Sequence, residues 1–426
     1  MDRSKPIPFF SLQKNLLLIL PISLIFSIFI ADLIVTTLFL FFIYYVFSKK
    51  AFIIFDNLYS KLFLSFWLYI VCLSIFSDDI LISLKSSFFY IRFIALPLIM
   101  FLIFKYDQKS KKFFFFILGT IILILFCDSF FQFLFGKNII GYDVIDNRVS
   151  SFFGDEKILG SFVSRIFFIF AGLWFSYSKF TSLRNNFYFI LFLIISFITV
   201  LISGDRMPLF LFIICLIILF FSIQMKFKWR IFYISLLTLL VCLPLIFSQS
   251  IYDRLIKRTL LEAGSEKVLL DNPGYKIEIE GKEKITIFTQ QQNFFFTSIN
   301  MIKDKFLFGH SNKGYKLNCK NFALDKFSCP SHPHNTYLQI FVENGLLGFI
   351  FISSIFFYFT YVLIKNFTNL ILNKELLNIS EICFILALYL NLWPIAQTGN
   401  FYNNWLSIIY YIPVAFMLKD IKTQKN

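Results

Sequence analysis

The sequence contains few of the residues from which metal sites are built. It has only 3 histidines in 426 residues, and two of them, His332 and His334, lie close together. Two histidines alone make a poor metal site, and no third ligand follows at a suitable spacing. The pair Asp78–Asp79 is likewise too short a motif to indicate such a site. We therefore expect neither a metal ion nor a cofactor in this protein.

Charged residues are also scarce, since they make up 15% of the chain whereas hydrophobic residues make up 58%. With apolar runs of roughly 20 residues, this composition excludes a soluble globular protein. It indicates an all-α polytopic membrane protein with about 12 transmembrane helices. The predicted spans lie near residues 15–31, 33–48, 58–77, 86–104, 113–135, 158–177, 186–202, 207–225, 230–249, 345–364, 380–397 and 404–418.

Acidic residues are fewer than basic ones, 25 against 40, which gives a formal net charge of +15. Such an excess can indicate nucleic-acid binding, but the basic residues fall largely in alternate short loops between apolar runs. We therefore expect no nucleic-acid partner. The positive-inside rule instead places these loops and both termini on the cytoplasmic side. The basic loops include Lys14, Lys49, Lys50, Lys105, Lys109, Lys111, Lys112, Lys179, Arg184, Lys226, Lys228, Arg230, Lys365, Lys374, Lys419, Lys422 and Lys425.

The chain divides at one long stretch that is not apolar. Residues 1–249 hold spans 1 to 9, residues 250–344 form an outward-facing segment, and residues 345–426 hold spans 10 to 12 and a cytoplasmic tail. Within the outward segment, residues 276–287 alternate about a glycine and predict a small hairpin, and residues 293–305 predict a helix.

Two cysteines of the outward segment stand apart from the five in the predicted spans. Cys319 and Cys329 are ten residues apart and lie just before the two clustered histidines. Outside the cytoplasm disulfides form and persist, so we predict that these two residues are joined. The alternative is a pair of unpaired thiols.

The most informative motif is His334-Asn335, followed after nine residues by Gly345 and, after two more, by Gly348. Histidine transfers protons near neutral pH, and here it stands beside a predicted span rather than inside one. Read as H-N-x9-G-x-x-G, the motif resembles the signature of the O-antigen ligase and O-antigen polymerase family, which are bacterial integral membrane glycosyltransferases. A simpler interpretation is that His334-Asn335 caps a helix.

Two other segments are similar to members of this family. The turn Ser203-Gly204-Asp205-Arg206 matches a short Ser-Gly-x-Arg turn, and residues 147–161 match a turn that resembles Gly-Phe-Phe-Gly-Asp-Glu. The resemblance implies that Arg206 binds diphosphate, although a topology or lipid-headgroup role is the alternative. Arg148 is then a candidate for phosphate or sugar contact. Asp155 either orients an arginine or marks a helix entry, and Asp205 is expected to favour the start of the following helix.

One feature departs from the family. Many members carry a second arginine in the long segment, whereas residues 290–293 contain none. The nearest substitutes are Arg254 and Arg258, for which surface ion pairing is the competing interpretation. Arg92, in the outer half of its span, is open to a diphosphate contact or a structural ion pair. Asp128 and Gln132 share a helix face inside a predicted span and are expected to bind other parts of the chain.

The resemblance also implies a mechanism and its partners. The donor would be a glycan linked to undecaprenyl diphosphate, and the acceptor a lipid A-core or another glycan, at the periplasmic face of the bacterial inner membrane. Arg206, Arg92, Arg148 and Arg254 would stabilise the departing diphosphate, His334 would activate the acceptor hydroxyl and Asn335 would orient it. Gly345 and Gly348 would allow close approach of a neighbour. Such a reaction inverts the anomeric carbon and needs no metal.

Several alternatives stay open at this point. An O-antigen polymerase joins lipid-linked repeat units to each other, and a related oligosaccharyltransferase acts on a protein acceptor. A polysaccharide or lipid transporter would catalyse nothing, but its polar groups should gather near the middle of the membrane, often in repeated halves. The candidate groups of this chain instead gather at one face.

Overall fold

The computed structural model describes residues 10–178, 183–262, 277–279, 282–284, 289–323 and 329–418. The basic residues at 1–9, Lys179, part of the predicted hairpin and the predicted tail beyond residue 418 lie outside these ranges. The described chain is α-helical except for one two-stranded antiparallel hairpin, Ile277–Ile279 with Lys282–Lys284. This hairpin lies within the segment that the alternating pattern predicted.

Some helices follow one another directly, whereas others are joined by longer loops such as residues 136–158. The α-helices are Phe10–Phe26, Ile28–Ser48, Leu58–Ser74, Ile80–Phe88, Ile91–Tyr106, Gln108–Phe135, Leu159–Tyr177, Leu183–Ile202, Arg206–Ser222, Phe227–Phe247, Gln249–Tyr252, Arg258–Glu262, Thr289–Asp304, Gly314–Asn318, Thr336–Ile371, Ile379–Leu392 and Asn404–Met417. Short 3-10 turns occupy Phe52–Phe55, Ser151–Phe153 and Cys319–Asn321, and a π-helical turn occupies Asp253–Lys257.

Within the described residues, six helices are long and apolar enough to cross a membrane, judged by length and composition. They are Ile28–Ser48, Ile80–Tyr106, Gln108–Phe135, Leu159–Tyr177, Phe227–Phe247 and Thr336–Ile371. Six shorter apolar helices, of 10–17 residues, lie at the other six predicted positions. The expectation of a helical, multi-pass membrane protein is therefore confirmed, whereas the number of twelve spans stays a prediction.

Asparagine and aspartate set several helix starts. Asp107 accepts hydrogen bonds from the Lys109 and Ser110 amides at 3.0 and 3.3 Å and so begins the helix Gln108–Phe135. Asn403 caps Asn404–Met417 in the same way. The first amides of a helix have no partner within the helix, and a short side-chain oxygen supplies one.

Asp128 and Gln132 fasten the loop of residues 136–158 onto the bundle. The Asp128 carboxylate accepts hydrogen bonds from Asn138 Nδ2 at 3.2 Å and from Ser151 Oγ at 2.6 Å. Gln132 Oε1 accepts from the Ser151 amide at 2.7 Å. Both side chains are buried, and a buried polar group is stable only when it is hydrogen-bonded. These contacts are structural, as their shared helix face indicated, and they fix the loop that carries Arg148.

The helix Thr336–Ile371, called here the motif helix, is interrupted at Gly345, whose φ is 62° and ψ −163°. An added Cβ there would collide with the carbonyl oxygen of Leu307, and one at Gly309 would lie 2.6 Å from the Gly345 nitrogen. The two glycines let the chain at residues 306–309 cross the helix at its break. At Gly348 an added Cβ would lie 2.5 Å from that of Asn344. The predicted close neighbour of Gly345 is thus a loop.

A small core holds the outward segment against the first part of the motif helix. Cys319 and Cys329 form a disulfide, with Cα atoms 5.5 Å apart. Cys319 packs with Met301, Tyr315 and Val342 in a cluster separate from the main apolar core. The helix Thr289–Asp304 lies along the motif helix in this unit. The disulfide therefore stabilises the segment that leads into the His-Asn motif.

Candidate functional site

The turn at residues 203–206 brings two arginines together from distant parts of the chain. Gly204 has a φ of 68°, and a Cβ added there would lie 3.2 Å from Arg254 Cγ and 3.3 Å from Arg148 Cγ. Arg254 Nε donates a hydrogen bond to the Gly204 carbonyl at 3.2 Å. Glycine at this position thus gives the left-handed turn and leaves room for both side chains.

Four arginines meet around this turn: Arg148, Arg206, Arg254 and Arg258, called here the arginine cluster. Burial, and then the positive charges of Arg148, Arg258 and Arg206, lower the pKa of Arg254 to about 10. All four side chains stay cationic at neutral pH. Arg206 Nη1 lies 3.1 Å from Thr259 Oγ1, next to Arg258 in sequence. Positive charges that lie close together repel one another, and a bound anion relieves this repulsion. The arginine cluster is therefore suited to an anion.

One carboxylate is built into the cluster. Asp205 is 6% exposed, and its Oδ1 accepts a hydrogen bond from Arg148 Nη2. Its Oδ2 accepts from the Gly160 amide at 3.1 Å, at the start of helix Leu159–Tyr177. Burial raises the pKa of Asp205, and the charge of Arg148 opposes that rise. Asp205 stands at the N-cap position of helix Arg206–Ser222, but its side chain makes no capping bond there.

The arginine cluster does not include Arg92, which was predicted for the diphosphate site, and its carboxylate is not Asp155, which was considered as a partner of an arginine. Arg92 makes an ion pair with Asp32, through Nη2 at 2.7 Å and Nε at 3.0 Å, and Nη1 donates to the Phe89 carbonyl at 2.8 Å. These contacts correspond to the ion-pair interpretation of Arg92. Asp155 is exposed, and the carboxylate that binds Arg148 is Asp205.

His334 stands at the other half of the site, between two rings. Its imidazole stacks on Phe294 with centroids 5.5 Å apart and an interplanar angle of 27°, and lies 4.2 Å from the ring of His332. The His334 carbonyl accepts a hydrogen bond from the Thr398 amide at 2.9 Å. Burial lowers the pKa of His334, so the ring is neutral at neutral pH and has a lone pair with which to accept a proton.

His332 is a neutral neighbour of that ring. Burial, followed by the charge that His334 would carry, lowers the pKa of His332 to about 4. Its Nδ1 lies 3.0 Å from Ser331 Oγ. Among the described residues no group of three or more His, Cys, Asp and Glu side chains is arranged to hold a metal ion.

Asn335 has a structural role, which the motif alone did not distinguish from a role in acceptor binding. Its Oδ1 accepts from the Tyr337 and Leu338 amides at 3.0 Å each and so caps the motif helix. Its Nδ2 donates to the carbonyls of Pro394 and Ala396 at 2.7 and 3.3 Å. Both ends of the amide are therefore engaged, which favours the capping interpretation over acceptor binding.

A chain of contacts connects the two halves. Helix Leu159–Tyr177 packs along helix Ile379–Leu392, and Arg165 Nε donates to Asn391 Oδ1 near the end of the second helix. Gly160, at the start of the first, is bound by Asp205, and Pro394, just after the second, is bound by Asn335. The arginine cluster and His334 are therefore both fastened to the same end of this helix pair.

Comparison with protein families adds one match. Residues 191–353 match the family model described as O-antigen ligase. This part of the chain is therefore similar to the O-antigen ligase family. The matched range includes the arginine turn, Arg254, Arg258 and the whole His-Asn-Gly motif, so the resemblance noted in the sequence is confirmed. Arg148 lies outside it. No curated protein in the comparison matches the chain.

This similarity supports activity of the O-antigen ligase or polymerase type. That activity belongs to a glycosyltransferase-like enzyme with lipid-linked glycan substrates. Sequence reasoning identified Arg206 and His334 because each stands in a short motif. It missed the partnership of Asp205 with Arg148, for which the only signal was an acidic residue beside the key arginine of a tight turn.

Proposed function

We propose that this protein transfers a glycan from undecaprenyl diphosphate to a lipid A-core acceptor at the periplasmic face of the bacterial inner membrane. The observation that carries the proposal is the placement of an arginine cluster and a neutral, half-buried histidine at one end of the same helix pair. The first group suits the diphosphate of the donor, and the second suits the hydroxyl of the acceptor.

The donor half rests on Arg148, Arg206, Arg254 and Arg258. A guanidinium binds phosphate oxygens through two parallel N–H donors and stays charged. Arg148 is 20% exposed, and its Nε has no hydrogen-bond partner within the described part of the chain, so the guanidinium keeps donor capacity for a ligand oxygen. As the bond between the anomeric carbon and the diphosphate breaks, negative charge grows on the diphosphate. The arginine cluster stabilises this charge. Arg92 is engaged by Asp32 and is left out of this role.

The acceptor half rests on His334. The neutral ring takes the proton of the acceptor hydroxyl while the oxygen attacks the anomeric carbon. The bond to diphosphate breaks as the new glycosidic bond forms, and diphosphate leaves from the opposite face. The configuration at that carbon is therefore inverted, and the arginines supply the charge stabilisation that a metal gives in other enzymes.

The proposal requires both halves to face the periplasm, which labelling of single cysteines tests. In a background without the free cysteines but with the Cys319–Cys329 disulfide, we expect Asp155→Cys and Ser331→Cys to react in intact cells with a reagent that does not cross the inner membrane. Both positions are exposed. The matched control is Lys109→Cys, an exposed position in a basic loop, which should react only after permeabilisation. Labelling of Ser331→Cys only after permeabilisation would contradict the proposed orientation.

Deletion of the gene tests which transfer the protein performs. For a ligase, we expect lipopolysaccharide from the deletion strain to run on a gel as core without long chains, and expression of the wild-type chain to restore them. Core carrying a single repeat unit would assign the protein as an O-antigen polymerase instead. Unchanged lipopolysaccharide together with a defect in protein glycosylation would point to a protein acceptor.

A further inference from the structure

We propose that Asp205 is a positioning residue that holds Arg148 in the orientation needed at the departing diphosphate. The inference rests on the proposed function and adds to it a residue that the family motif leaves unspecified. The observation that carries it is a buried carboxylate inside a cluster of four arginines, bonded to one of them.

The contacts of Asp205 leave it little freedom. Its Oδ2 is fixed by the Gly160 amide at 3.1 Å, and a Cβ at Gly160 would lie 3.0 Å from the Asp205 side chain. Oδ1 is thereby directed at Arg148 Nη2, which also donates to the Lys157 carbonyl at 2.7 Å. Two acceptors thus hold one nitrogen of the guanidinium. Nε is without a partner in the described structure and the side chain is 20% exposed, so the donors that Asp205 and Lys157 do not occupy are left for the ligand.

The charge of Asp205 works against simple anion binding. A carboxylate among four guanidinium groups lowers the positive potential that attracts diphosphate. A site selected only for affinity would leave it out. What Asp205 contributes instead is orientation, because a guanidinium fixed in advance stabilises developing charge without rearranging during the reaction. Removing the negative charge of Asp205 should therefore lower the rate of transfer but raise the affinity of the site for a diphosphate in its ground state.

Asp205→Asn tests this distinction. The asparagine oxygen can still accept from the Gly160 amide, but the charged bond to Arg148 is lost. We expect kcat for transfer to fall about tenfold to a hundredfold, while inorganic pyrophosphate inhibits at the same or a lower concentration than in the wild type. The thermal unfolding midpoint in detergent should stay close to that of the wild type, which separates positioning from a purely structural role.

Asp146→Asn is the matched control. The Asp146 carboxylate lies near Arg254 and Arg258, but its hydrogen bond is to Lys157 Nζ at 2.7 Å. Removing this charge should also strengthen pyrophosphate inhibition, yet leave kcat unchanged. A fall in kcat equal to that of Asp205→Asn would show that the loss arises from charge in general and would overturn the inference.

Arg148→Lys keeps the proposal testable if Asp205→Asn does not fold. Lysine keeps the charge but has a single nitrogen, so it cannot bind Asp205 and phosphate along separate edges. We expect lower kcat with pyrophosphate inhibition largely kept. A normal kcat in Asp205→Asn, or a loss of pyrophosphate inhibition with normal kcat, would overturn the inference while leaving the arginine cluster intact. Normal transfer in both Arg148→Lys and Arg206→Ala would instead contradict the proposed function itself.

Discussion

Replacing His334 with alanine is expected to abolish glycan transfer while donor binding is nearly unchanged. His334 acts on the acceptor hydroxyl, and loss of a general base typically costs about a hundredfold to ten-thousandfold in rate. The measurement is transfer by purified protein from lipid-linked donor to acceptor, with donor affinity measured separately. The acid limb of the wild-type pH profile should also lie below the ordinary histidine pKa of about 6.5, because burial lowers the pKa of His334 and the neutral form is the active one.

His332→Gln is the control for this variant. It removes the neighbouring imidazole, whose ring lies 4.2 Å from that of His334, but leaves the proposed base in place. We expect a much smaller loss of rate than in His334→Ala. Full transfer by His334→Ala would show that the base has been wrongly assigned. If wild-type activity disappeared with a chelator and returned with a divalent cation, the metal-free mechanism would be wrong.

Replacing Arg206 with alanine is expected to impair both transfer and donor binding. A hydrogen bond to a charged group contributes about 1.5–3 kcal/mol, which corresponds to a loss of donor affinity of roughly tenfold to 150-fold. The loss in rate should be larger, since charge on the diphosphate grows as the bond breaks. Titration of lipid-linked donor against purified variant protein gives the first quantity, and single-turnover transfer gives the second.

Two further variants serve as controls for Arg206→Ala. Arg206→Lys should recover part of the affinity because it restores the charge but not the planar fork. Arg230→Ala removes an arginine whose Nη2 lies 3.4 Å from the Ile223 carbonyl, near the start of helix Phe227–Phe247 on the predicted cytoplasmic side, and should change neither quantity. Equal donor affinity in Arg206→Ala and the wild type would remove Arg206 from the donor site.

The sequence indicated the features that depend on near neighbours. Apolar runs marked the positions of the helices, and the pattern around residue 345 marked a boundary where the structure breaks the motif helix. Arg206 and His334 were found because each lies in a short motif of defined spacing. Such features are local, since a helix or a tight turn is determined mainly by residues within a few positions.

The sequence did not indicate the partners of the buried polar groups, because these partners lie far away along the chain. Asp205 binds the amide of Gly160, 45 residues earlier, and Arg92 binds Asp32, 60 residues earlier. Asn335 looked equally suited to a helix cap or to an acceptor contact, and its bond to Pro394, 59 residues later, shows where its nitrogen is directed. Nothing in a single sequence ranks such distant pairings, because any buried donor can satisfy any buried acceptor once the helices have packed.

The attachment of the His-Asn motif to residues 394–398 has a consequence for biogenesis. The motif is synthesised about sixty residues before the carbonyls that fasten Asn335 and the amide that binds the His334 carbonyl. The helix that follows them, Asn404–Met417, closes against the first helix through a bond from Trp405 Nε1 to the Leu24 carbonyl at 2.9 Å. A nascent chain that ends before residue 394 therefore holds its histidine without the contacts that fix the His-Asn motif. The contacts of the motif with residues 394–398, and the closure of helix Asn404–Met417 against the first helix, are therefore completed late in translation and membrane insertion.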